Sequence, residues 1–128
     1  MRYLLDTHLL IWWASGDARC PQFVRALIAD KTDDVLFSTV SVWETAIKFN
    51  LGRSDFEFHP RVLRDGLLEK NFREIQIRVE HTLGVVGLPM IHRDPFDRLL
   101  VAQARVEEIT LLTVDPKVAQ YPGPIRLV

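Results

Sequence analysis

The chain has 128 residues, 48% of them hydrophobic and 26% charged, with a formal net charge of −1. That is enough for one domain (1–128) with a real core, and it excludes a disordered, fibrous or generally basic nucleic-acid-coating protein. The lone cysteine, Cys20, cannot form an internal disulfide, so a reducing, cytoplasmic compartment is expected. No apolar run approaches membrane-spanning length, and Asp6 and His8 interrupt the stretch after Arg2 that loosely resembles a secretion signal.

In chain order, Tyr3-Leu4-Leu5 is a short apolar strand ending at Asp6. Thr7 is the expected N-cap of a helix carrying Leu9, Leu10, Trp12 and Trp13, which Ser15-Gly16-Asp17 stops. Pro21 to Asp30 predicts a second helix, and Val35-Leu36-Phe37 a second buried strand. Ser41-x-x-Glu44 has the form of a capping box at the start of a helix that Gly52 ends. Pro60 opens a further helix, Glu74 to Ile77 alternates as a strand should, and Val79 to Val86 predicts a short helix.

The next helix is the most telling. Asp94 is placed to cap it and Pro95 to occupy its first turn, where a missing N–H costs nothing. Leu100, Val101 and Ala104 recur at the spacing of one buried face. One turn back along that stripe stands Asp97, and a charge on a core-facing stripe needs a partner, most simply a metal ion or another cation. Ile109 to Val114 is the clearest strand, ending at Asp115-Pro116, and Ile125 to Val128 is a candidate last strand.

Short, unalternating apolar strands separated by helices predict an α/β fold with a central, mainly parallel sheet covered on both faces. Ligands of such sheets sit beyond the carboxyl ends of the strands, where Asp6 and Asp115 both fall. Each acid also has an ordinary role open to it. Glu44 could serve the capping box and pair with Lys48 at i, i+4, and Asp115 could be a turn acid. Gathered together, the carboxylates would repel unless cations were bound, and all-oxygen ligation suits Mg²⁺ or Mn²⁺. Such ions activate water and stabilise a leaving oxygen in phosphodiester hydrolysis. His8, His59, His81 and His92 show no metal-ligand spacing and read as structural or solvated; no phosphate-binding glycine loop is present.

Four stretches resemble, in order, the motifs of PIN-domain proteins and more narrowly of VapC-type toxins. They are Leu4-Leu5-Asp6-Thr7-His8, Ser41-Val-Trp-Glu44 with Lys48, Asp94-Pro-Phe-Asp97-Arg98 with the helix after it, and Leu112-Thr-Val-Asp115. The resemblance implies a three-layer α/β/α domain and a Mg²⁺- or Mn²⁺-dependent ribonuclease. It places catalytic and metal-binding roles on Asp6, Glu44, Asp97 and Asp115, with Thr7, Asp94 and Arg98 in support. It further implies a cognate antitoxin and a homodimer. Lys48, Arg93, Arg98 and Lys117 could hold RNA phosphates or form structural ion pairs. Two other readings compete: a PIN-like scaffold that binds RNA or a partner without turnover, and a phospho-accepting receiver domain. The receiver class needs paired acids after the first strand and a late lysine, where this chain has Asp6-Thr7-His8 and Ile125-Arg-Leu-Val128.

Overall fold

A computed structural model describes all residues, 1–128. The strands are β1 (Arg2–Leu5), β2 (Asp34–Ser38), β3 (Arg73–Ile75), β4 (Thr110–Thr113) and β5 (Ile125–Leu127). The helices are α1 (Thr7–Ser15), α2 (Gln22–Ala29), α3 (Thr39–Asn50), α4 (Pro60–Glu69), α5 (Val79–Gly84) and α6 (Pro95–Glu107). All five strands are parallel, in the order β3-β2-β1-β4-β5. The chain steps outward from β1 to β3 and then crosses to β4 on the far side of β1. The gap between β1 and β4 is therefore the switch point where sheets of this kind bind ligands.

Alternation within the strands feeds two cores, one per face. Tyr3, Leu5, Val35, Phe37 and Leu112 join residues of α1, α2 and α4 in one, including Leu9, Leu10, Val24, Leu63 and Leu67. Leu4, Leu36 and Leu111 meet Leu100, Val101 and Ala104 of α6 in the other. This is the expected three-layer arrangement, and the α6 stripe docks as its spacing predicts. Full burial of Leu100 and Val101 contributes about 1.5–3 kcal/mol each.

Two helix starts differ from expectation. Asp6, not Thr7, caps α1: its Oδ1 accepts the Leu9 N–H at 2.9 Å, and Thr7 is the first helical residue. Ser41 and Glu44 form no capping box, because α3 begins one turn earlier. There Ser38 is the N-cap and its Oγ accepts the Val40 N–H at 3.0 Å. Ser38-Thr39-Val40-Ser41 offers several hydroxyls suited to a cap, and the length of β2 decides among them. β3 also ends earlier than the alternation suggests, at Ile75. Elsewhere local rules hold: Asp94 caps α6 by accepting the Phe96 N–H at 2.8 Å, with Pro95 behind it. Gly16 closes α1 at φ +68°, a left-handed conformation that only glycine adopts freely. No helix is long and apolar enough to cross a membrane.

Candidate active site

Asp6 directly follows β1, where its amide continues the ladder by donating to Leu112 O at 3.0 Å. Its side chain is buried at the β1–β4 gap, accepting from the Thr113 hydroxyl at 2.7 Å and the Val114 N–H at 3.1 Å. Burial pushes the Asp6 carboxyl above its ordinary value, against the pull of the Leu9, Thr113 and Val114 hydrogen bonds.

Glu44, 2% exposed, comes in from α3. Its Oε1 accepts from the Thr7 hydroxyl at 2.6 Å, and Thr7 Oγ1 stands 2.9 Å from Ser41 Oγ. Its Oε2 meets Lys48 Nζ at 2.5 Å. The Lys48 ammonium also lies 3.9 Å from Asp94 and over the rings of Phe56 and Phe96, at 4.8 and 5.6 Å. Starting α3 at Ser38 puts Ser41 one turn into the helix, facing Thr7, and Glu44 on the same side.

Asp97 enters from the first turn of α6. Its carboxyl is pushed up to about 8, by burial first and then by the charges of Asp94, Glu44, Asp6 and Asp115. That list identifies the convergence: carboxylates from four separate stretches act on one side chain. Burial and the neighbouring carboxylates thus both favour the protonated form of Asp97 in the metal-free protein.

Asp115 follows β4, and Thr113 holds its backbone N–H at 3.0 Å. Its Oδ2 lies 2.9 Å from His92 Nε2, and Asp97 Oδ2 lies 3.4 Å from the same nitrogen. The ligand atoms of His92, Asp97 and Asp115 all fall within 4.8 Å of one another. Asp6 and Glu44 are outside this tightest group, their oxygens being held by Leu9, Thr113, Val114, Thr7 and Lys48.

His92 is the residue that spacing in the sequence did not reveal. It shares no motif with Asp115, but it sits in the turn before α6, two residues before the cap, at the same end as Asp97. The supporting residues divide. Thr7 bonds Glu44 directly and Asp94 adds to the field on Asp97. Arg98 is taken up by neighbouring groups instead, donating to Pro89 O at 3.0 Å and to Tyr121 Oη at 3.1 Å. Arg93 and Lys117 are exposed and enter no ion pair. A cleft of about 500 Å³, lined in part by Ile11, Trp12, Arg19, Asp55 and His59, includes none of Asp6, Glu44, Asp97 and Asp115.

The PIN-domain family model matches residues 3–124, nearly the whole chain. The chain is a PIN domain. PIN domains are generally nucleases. Its fold is similar to a chain of Rickettsia felis VapBC2 bound to a promoter DNA fragment, at a TM-score of 0.74 and 16% identity over 100% of this chain and 99% of that one. Against DNA-bound VapBC of Salmonella typhimurium the TM-score is 0.71 at 14% identity, covering 100% and 97% of the two chains. VapBC-1 of nontypeable Haemophilus influenzae gives 0.63 at 20% identity, covering 94% and 91%. No curated protein matches this PIN domain.

Proposed function

We propose that this PIN domain is a Mg²⁺- or Mn²⁺-dependent endoribonuclease, acting as the toxin of a toxin–antitoxin pair. The observation that carries the reading is the field on Asp97. Burial first, and then four other carboxylates, raise its pKa to about 8, an arrangement that costs folding energy and that a divalent cation would relieve. Asp97 and Asp115 would hold the ion most directly, with Asp6 and Glu44 flanking them. When bound, the ion supplies an activated water for attack on phosphorus and charge neutralisation for the departing oxygen. To serve as a ligand Asp97 would release its proton to solvent. Thr7 and Thr113 keep Glu44 and Asp6 oriented through their hydroxyls, and exposed Arg93 and Lys117, next to His92 and close after Asp115 in the chain, are the candidates to hold RNA phosphates.

That structures of the same fold were solved as VapBC complexes supports a protein partner, the cognate antitoxin, covering the acidic site. Exposed Val79, Leu83, Val86 and Met90 supply apolar surface suited to protein contact, including a homodimer. The test is cleavage of RNA by purified protein with Mg²⁺ or Mn²⁺, its arrest by EDTA, and mapping of the ends against an Asp97→Asn control. RNA binding with no metal-dependent cleavage would establish the non-cleaving scaffold instead.

A further inference from the structure

We infer that His92 is a positioning residue, a fixed N–H donor that orients Asp115, and that it does not itself ligate the metal. The inference rests on the metal-nuclease reading and assigns a role within that site.

The carboxylate side alone leaves two roles open to the imidazole. Its Nε2 makes a 2.9 Å hydrogen bond to Asp115 and stands 3.4 Å from Asp97. The same spacing also suits neighbouring ligands on one ion, since adjacent octahedral positions at bonds of about 2.1 Å lie about 3 Å apart. The far side of the ring decides. Nδ1 accepts the backbone N–H of Asp94 at 3.2 Å, so that nitrogen presents a lone pair and the ring proton is on Nε2. A ligating histidine needs the reverse, with Nε2 bare and Nδ1–H donating to an acceptor. Here, moving the proton to Nδ1 would set two N–H groups head to head.

The backbone of His92 is equally fixed. Its N–H donates to Tyr121 Oη at 2.8 Å, and the same hydroxyl donates to His92 O at 3.1 Å. Arg98 donates to Tyr121 Oη in turn, so it supports the site through Tyr121 and His92 rather than through phosphate. Asp115 is pinned from both ends, Oδ1 by the Lys117 N–H at 2.8 Å and Oδ2 by His92. Since Asp115 is the most exposed of the acids, its rotamer depends on these donors.

Two substitutions separate donor from spacer. His92→Asn keeps an acceptor near the Nδ1 position for Asp94 N–H but removes the donor to Asp115. His92→Gln keeps a donor near the Nε2 position. By calorimetry on folded protein, His92→Asn should weaken Mg²⁺ binding by about 10- to 100-fold, as loss of a residue orienting a ligand does, and His92→Gln should recover most of it. Nitrogen NMR of the ring should report Nε2–H both without and with Mg²⁺. Unchanged Mg²⁺ affinity in His92→Asn, or loss of the Nε2 proton on adding Mg²⁺, would overturn the assignment. Wild type that binds neither Mg²⁺ nor Mn²⁺ would overturn the nuclease reading and this role with it. Wild-type binding with an unaffected Asn variant would overturn the role of His92 alone.

Discussion

Two histidine–carboxylate clusters are built almost alike, and only one is short of positive charge. His81 accepts the Arg78 N–H on Nδ1 at 2.9 Å and meets Glu107 through Nε2 at 2.7 Å. His92 accepts the Asp94 N–H on Nδ1 and meets Asp115 through Nε2. Around His81 the charges close: Arg78 reaches Glu107 at 2.9 Å, and Gln103 and Ser38 complete a buried network. Around His92 they do not, because Asp97, Asp115, Asp94 and Asp6 converge and Lys48 is committed to Glu44. A closed polar cluster staples α5 to α6. An open one holds a standing demand for a cation.

The largest effect expected is at Asp97. Asn there removes the charge, so metal-dependent RNA cleavage should fall at least about 100-fold while the fold stays intact. Equal cleavage by a folded Asp97→Asn protein would erase the distinction between the two clusters.

The same imbalance gives a pH dependence with a definite sign. The Asp97 pKa is raised in the folded state, so between the ordinary carboxylate range and about 8 the folded protein holds a proton that the unfolded chain has lost. Stability from this group is therefore greatest at low pH and is lost as pH rises across that window. Metal-free protein should melt several degrees lower at pH 8 than the Asp97→Asn variant, with a smaller gap at pH 5. Mg²⁺ should close the gap at pH 8 by stabilising wild type selectively. A wild type that melts as high as the variant at pH 8 without metal would show the acids to be balanced after all.

At the closed cluster the expectation inverts. His81→Leu strands the Arg78 N–H and removes one of the two acceptors of the Gln103 amide, at a cost of about 1–3 kcal/mol, and should leave Mg²⁺ affinity unchanged. A loss of metal affinity there would mean that the two clusters are coupled through α6.

The sequence displays one of these regions far better than the other. Asp97 stands out because its neighbours Leu100, Val101 and Ala104 announce a buried stripe, and Asp94-Pro95 marks where that helix begins. Such patterns are local, as are the apolar runs that became β1, β2 and β4. Neither histidine shows itself that way. His92 and Asp115 are 23 positions apart, and His81 and Glu107 are 26 apart. Each pair meets only once α6 has docked, and no periodicity within a window of residues encodes that. The cap of α1 is a local ambiguity instead: Asp6 and Thr7 both offer a capping oxygen, and Asp6 takes the role while also serving the site.

The smallest effect tests a competition between two hydroxyls. Ser41-x-x-Glu44 has the form of a cap, yet Ser38 does the capping and also donates to buried Gln103 Oε1 at 2.5 Å. Ser38→Ala therefore loses the cap and leaves an amide oxygen without its donor, which together cost about 1–2 kcal/mol, or about 4–8 °C in melting temperature. Ser41→Ala removes only the contact with Thr7, whose hydroxyl still has Glu44, so its melting temperature should fall less. Had the helix begun at the apparent capping box, the order of the two losses would be reversed. Because Gln103 also reaches His81, Ser38→Ala weakens the closed cluster from its far end. The Mg²⁺ affinity of the open one should then stay at its wild-type value.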